Sequence, residues 1–233
     1  LAMYSAKESG KNQYVFYSPE MDRRALERWE LEQGLKKSLA QRELMLHFQP
    51  ILNLQGEVLG VEALARWSHP ELGPVPPSTF IPAAEESGLI LPMGNWILES
   101  ACRHIRHLNE NGYPNLFVSV NISPKQFEHP DFLDMTGNIL RRTGIDSSNL
   151  KFELTETSIM NAPESAIEKM NALKEQHPGI MISIDDFGTG YSSLSYLSKF
   201  PADIIKIDHS FVTRLFHTNN VKIVNAIVNL AQS

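Results

Sequence analysis

The chain has one cysteine, Cys102, in 233 residues. No intrachain disulfide can form, so the core alone must hold the fold, as suits a reducing compartment. Positive charge is also scarce: 21 Lys and Arg stand against 27 Asp and Glu, a net charge of −6. That balance argues against a broad groove for the backbone of a polymeric nucleic acid. It does not exclude a small anion held through metal ions. No apolar run is long enough to cross a membrane, and no secretory leader is visible. The expectation is a cytoplasmic protein with no direct membrane contact from this segment. There is no initiating methionine, and a chain that starts at Leu1 reads as a piece of something longer. A membrane anchor elsewhere in the parent protein stays open.

What the sequence does have is a steady alternation of strands and helices. Residues 45–51 and 58–67 read as strands joined by a tight turn at 53–56. Further strands follow at 117–122, 150–155, 180–185 and 204–208. Helices are predicted at 77–87, 93–111, 131–143, 164–176, 192–199 and 219–231. Upstream, 1–9 reads as helical, 13–17 as a strand and 21–40 as a charged amphipathic linker helix. The spacing predicts βα units with parallel strands, hence an α/β fold. Crossovers of this kind give a doubly wound sheet or a closed barrel. Polar inner faces favour the barrel, whose site lies at the C-terminal ends of its strands. Only six strands are legible where such a barrel has eight, so the last two are expected to be absent.

Four strand segments place a lone acid or amide on an otherwise apolar backbone. They are Gly60-Val61-Glu62-Ala63-Leu64-Ala65-Arg66, Val118-Ser119-Val120-Asn121-Ile122, Lys151-Phe152-Glu153-Leu154-Thr155-Glu156 and Ile182-Ser183-Ile184-Asp185-Asp186. A fifth, Ile205-Lys206-Ile207-Asp208, adds a lysine and another acid. Side chains alternate faces along a strand. Val118, Val120 and Ile122 therefore share one face, and Ser119 and Asn121 the other. The same split separates Phe152 and Leu154 from Glu153, and Ile182 and Ile184 from Asp185. A single polar residue in a strand is ordinarily solvent-facing or a satisfied core hydrogen bond. Its recurrence near the end of strand after strand points instead to converging oxygen ligands for a hard divalent cation. Several buried carboxylates need such a cation to neutralise them.

The ordered motifs carry a resemblance. They are Phe48-Gln49-Pro50-Ile51, Glu62-Ala63-Leu64-Ala65-Arg66-Trp67, Phe80-Ile81-Pro82 with Ala84-Glu85, Ser119-Val120-Asn121-Ile122-Ser123, Glu153-Leu154-Thr155-Glu156, Asp185-Asp186-Phe187-Gly188-Thr189-Gly190-Tyr191-Ser192-Ser193 and Ile205-Lys206-Ile207-Asp208. Each is weak alone, but as a set they resemble the EAL domain of cyclic di-GMP phosphodiesterases. Ala2-Met3-Tyr4, Ala6-Lys7 and Gly10-Lys11-Asn12 are similar to the tail of a GGDEF domain. The resemblance divides the chain into a GGDEF tail (1–20), a linker helix (21–40) and an EAL domain (41–233) that stops before its final strands.

The resemblance further implies a TIM-like barrel with an antiparallel first strand. Its activity would be metal-dependent hydrolysis of cyclic di-GMP to linear pGpG with two Mg²⁺ or Mn²⁺ ions, in a homodimer. Glu62, Asn121, Glu153, Asp185 and Asp186 would be metal ligands. Lys206 would hold the attacking water or a phosphate oxygen, and Asp208 would help to organise the site. Glu156 would anchor the loop 186–191. Arg66 would contact a phosphate, while Gln49 and the backbone near Leu64 would meet the nucleotide. The family's later glutamate pair and glutamine-containing segment do not occur in Leu1–Ser233. A non-catalytic cyclic di-GMP receptor or a dimerisation module is the alternative. Individual roles have alternatives too: Arg66 as a surface ion-pair partner, Asp186 as a loop cap, Lys206 as a structural partner of Glu153. Trp67, Trp96 and Tyr191 could stack on guanine, with packing the other explanation for Trp96. His104 and His107, spaced i,i+3, read as a solvated helix face.

Overall fold

The computed structural model describes residues 16, 18–41, 43–188, 196, 199–213 and 218–231. The elements predicted at 1–9, 13–17 and 192–199 lie wholly or mostly outside them. Seven strands form one sheet: β1 (Leu44–Leu52), β2 (Val58–His69), β3 (Gly73–Val75), β4 (Phe117–Asn121), β5 (Leu150–Thr155), β6 (Met181–Phe187) and β7 (Ile204–Ile207). The order is β1-β2-β4-β5-β6-β7, with β3 paired to β2. From β2 to β7 each strand on this path runs parallel to the next. Among the described residues the order never reverses, so they show no switch point of the kind that marks a doubly wound sheet. This is the sequential winding of a βα barrel wall.

The strand β3 departs from expectation. It pairs antiparallel with the far end of β2, Trp67 facing Val75 and His69 facing Gly73. Its middle residue, Pro74, brings no N–H to the ladder, which an edge position tolerates. β1 and β2 are neighbours joined by a five-residue connection, which requires the antiparallel arrangement. Asn53 Oδ1 accepts from the amides of Gln55 and Glu57 at 3.0 and 2.9 Å, closing that turn.

Two compact units are distinguished: Leu1–Met45 with Arg66–Ile90, and Leu46–Ala65 with Leu91–Ser233. The first holds α1 (Pro19–Gln41) and α2 (Pro77–Ser87). Trp67 is 2% exposed there, and its Nε1 donates to Ser38 Oγ at 2.8 Å. Phe80 meets its ring edge-on with centroids 5.9 Å apart. This corrects the idea that Trp67 stacks on a base: it is the packed centre of its unit. Trp96 is half-buried, and Tyr191 lies outside the described residues.

The second unit carries the main core. Its helices are α3 (Ile90–Glu110, from Leu91 on), α4 (Pro124–Glu128), α5 (Phe132–Thr143), α6 (Glu156–Met160), α7 (Pro163–Gln176), α8 (His209–Thr213) and α9 (Thr218–Ala231). The apolar strand faces, including Val118, Val120, Phe152, Leu154, Ile182 and Ile184, join one cluster with Ile105, Phe132, Ile139, Met170 and Leu173. With one face so committed, the alternate residues of the same strands must point the other way. Among the described residues no helix is long and apolar enough to cross a membrane.

Candidate active site at the strand ends

On β2 the residues Ala63 and Ala65 are buried, while Glu62 and Leu64 lie on the opposite, half-exposed face. Asn121, at the end of β4, donates from Nδ2 to Glu62 Oε1 at 2.8 Å. On β5 the side chains of Phe152 and Leu154 enter the core, and Glu153 is turned away from it yet remains only 2% exposed. Its two oxygens have separate partners. Ser119 Oγ, from β4, donates to Oε1 at 2.5 Å, and Lys206 Nζ, from β7, donates to Oε2 at 2.5 Å. Lys206 donates again to Asp185 Oδ2 at 3.0 Å and stands 3.8 Å from Glu62 Oε2. Polar side chains from β2, β4, β5, β6 and β7 thus gather around one ammonium. The period-two pattern that located Glu62, Asn121, Glu153 and Asp185 holds in every case.

Burial pushes the Glu153 carboxyl above the usual carboxylate range, and its bonds from Lys206 and Ser119 offset only part of that. Burial would depress the Lys206 ammonium. The hydrogen bond and charge of Glu153, with the charge of Asp185, outweigh it and hold Lys206 above its ordinary value. Lys206 and Glu153 thus stand at ion-pair distance, each shifted by the other as well as by burial.

Asp186 breaks the alternation. Consecutive strand residues should face opposite ways, yet the register of β6 against β7 shifts between Ile184 and Phe187. Asp186 has φ 55, the one positive value at a non-glycine position among the described residues, and its amide donates to Asp185 Oδ1 at 3.0 Å. A bulge of this kind re-aims a side chain. The Asp186 carboxyl is raised first by burial, then by the negative charges of Asp185 and Asp208, with a smaller effect from Glu62. It belongs to the same electrostatic neighbourhood.

Glu156, 1% exposed at the start of α6, accepts the Gly188 amide at 2.8 Å through Oε2. Gly188 has φ 97, and a Cβ there would sit 2.9 Å from the Phe211 ring, so glycine is required. Residues 189–191 of the predicted loop lie outside the described residues. Asp208 accepts from the amide of Ser210 at 2.9 Å and from its hydroxyl. It is the cap of α8, and those bonds hold its carboxyl below the usual range. Among the described residues no hydrogen bond ties Gln49 to the Lys206 cluster. Gln49 is exposed on β1, and Leu64 and Arg66 follow Glu62 on one face of β2, both half-exposed, with Arg66 falling in the other compact unit. His104 and His107 are exposed on α3, with His104 Nδ1 2.7 Å from Ser100 O.

The donor set suits a hard divalent cation: carboxylate and amide oxygens, with no sulfur or imidazole among them. One ammonium faces the carboxylates of Glu62, Glu153 and Asp185, and the Asp186 carboxyl, raised first by burial and then by Asp185 and Asp208, adds to the acids gathered there. Among the described residues no three His, Cys, Asp or Glu side chains are already grouped as an ion-holding cluster. The carboxylates are instead arranged about Lys206 Nζ. Ser119 was the contributor that sequence reasoning left without a role. Its signal was its place on the face of Asn121.

Comparison with known proteins gives a consistent picture. The EAL domain family model matches residues 32–233. The chain is 41% identical over 234 residues to the bifunctional diguanylate cyclase/cyclic di-GMP phosphodiesterase MucR of Pseudomonas aeruginosa, covering all of this chain and 34% of that protein. It is 40% identical over 234 residues to the cyclic di-GMP phosphodiesterase PdeR of Escherichia coli, covering all of this chain and 35% of that protein. The chain thus spans about a third of the length of these curated relatives. In three dimensions it is similar to the MucR phosphodiesterase in complex with c-di-GMP. The TM-score is 0.83 at 41% identity, covering 87% of this chain and 82% of that one.

Proposed function

The chain belongs to the EAL domain family, and from that premise we propose that it hydrolyses cyclic di-GMP to linear pGpG with the help of divalent metal ions. The observation that carries this reading is the convergence of oxygen ligands from successive strand ends on one lysine. Two ions, Mg²⁺ or Mn²⁺, fit the reading. Glu62, Asn121, Glu153, Asp185 and Asp186 would hold them. Bound there, such ions supply positive charge for the oxygens that gain negative charge as a phosphodiester is displaced.

The chain's own residues have distinct tasks in this reading. Lys206 has three N–H donors. Two are engaged by Glu153 and Asp185. The third serves the attacking water or a phosphate oxygen. Glu156 fixes the backbone that follows Asp186 through the Gly188 amide. Asp208 adds negative charge beside Asp186 while it caps α8. Arg66 contacts a phosphate, and Gln49 and the backbone near Leu64 contact the nucleotide. A GGDEF tail over 1–20, a linker helix over 21–40 and a homodimer complete the proposal.

The test is cyclic di-GMP turnover with Mg²⁺ or Mn²⁺, read as pGpG by chromatography. Glu62→Ala should abolish product formation, because it removes a ligand and the acceptor of the Asn121 bond. Full turnover by that variant would refute the assignment. Binding of the nucleotide without any product from the unsubstituted protein would favour a receptor.

A further inference from the structure

We infer that Ser119 is a positioning residue that sets which oxygen of Glu153 faces the strand ends, and thereby the affinity of the site for a divalent cation. The inference rests on the proposed cation site. Ser119 is fully buried and donates to Glu153 Oε1 at 2.5 Å. It precedes Asn121 by two residues on β4, and Asn121 is the residue in register with Glu153. Its hydroxyl therefore reaches Glu153 from the side nearer the strand beginnings. Lys206 takes the other oxygen, Oε2, at 2.5 Å.

A carboxylate held at one oxygen only can rotate. Held at both, it presents one fixed oxygen to the mouth. The hydroxyl donates to the carboxylate, so the bond fixes the direction as well as the distance. Hydrogen-bond partners behind a ligating carboxylate typically change metal affinity by about 10–100-fold when removed.

The structure supplies its own control. Ser183 lies on β6 in register with Glu153, on the same face, and is also fully buried. Its Oγ has no hydrogen-bond partner among the described residues. The two serines are thus matched in burial and setting, and differ in the bond to Glu153.

The experiment is Mn²⁺ binding by electron paramagnetic resonance, with no substrate present, on the unsubstituted chain, Ser119→Ala, Ser119→Thr and Ser183→Ala. Urea unfolding of each reports the fold separately. Ser119→Ala should weaken Mn²⁺ binding by about 10-fold or more. Ser119→Thr, which keeps the hydroxyl, should restore it, and Ser183→Ala should bind as the unsubstituted chain does. Equal binding by Ser119→Ala overturns the inference and leaves the cation site standing. So does equal weakening by Ser183→Ala, which would mean generic packing. If Ser119→Ala does not fold, weak binding by a folded Ser119→Thr overturns it. No Mn²⁺ binding by the unsubstituted chain overturns the cation site and this inference together.

Discussion

Replacing Lys206 with methionine isolates the energetics of the cluster. The methionine keeps an unbranched side chain, one atom shorter, and removes the charge. Among the described residues Glu153, whose side chain is 1% exposed, then keeps only the Ser119 bond. Breaking a buried ion pair by deleting one partner costs about 3–5 kcal/mol. The Lys206 side chain is 33% exposed, so water can enter beside the vacated nitrogen, and the low end, roughly 3 kcal/mol, is expected. For a chain of this length that is a fall in Tm of roughly 6–12 °C. The pH dependence gives the sharper signature. Burial already raises the Glu153 carboxyl, and losing the ammonium raises it further. A raised acid destabilises the fold when ionised, so the penalty is full above its folded pKa and fades as pH falls through it. Urea unfolding in EDTA, followed by circular dichroism at pH 8 and pH 5, measures both ends. The variant should lose most of its stability deficit at pH 5. An equal deficit at the two pH values, or none at pH 8, would refute the argument that a buried, charged Glu153 is the source.

Two further outcomes follow from burial alone. Trp67→Ala should cost about 3–5 kcal/mol, because the ring is 2% exposed and also satisfies Ser38; a shift in the urea midpoint worth less than about 1 kcal/mol would remove Trp67 from the core of its unit. Cys102 is fully buried, and burial pushes its thiol up to about 12. A thiol-reactive disulfide reagent at pH 8 should therefore label it only once the chain unfolds, and rapid labelling of the native protein would contradict that burial.

The elements that were legible in the sequence are those whose pattern repeats within themselves. Within β5 the alternation Phe152-Glu153-Leu154 suffices to separate the two apolar residues from the acid, and the helix at Pro77–Ser87 ends at a glycine, Gly88, with φ 78. Elements set from outside were not legible. β3 has three residues, and its pairing is decided by the Trp67 end of β2. The helix α3 starts at Ile90, ahead of the predicted 93, because Pro92 falls in its first turn, where a missing N–H leaves no intrahelical bond unmade. The five-residue α4 is too short for periodicity, although its Ser123–Gln126 capping box was written in the sequence.

The site shows the same division at the level of single side chains. Period two located Glu62, Asn121, Glu153 and Asp185, but it assigns Asp186 to the wrong face. Only the pairing of β6 with β7 creates the bulge that brings Asp186 among the other acids. Lys206 makes a different point. A structural partner of Glu153 and a donor to a reacting oxygen look like rival roles when a residue is read as a letter. An ammonium has three donors in tetrahedral array, and the two bonds at 2.5 and 3.0 Å occupy two of them. The bonds that hold Lys206 also orient its remaining N–H, so the structural role and the proposed chemical one are compatible.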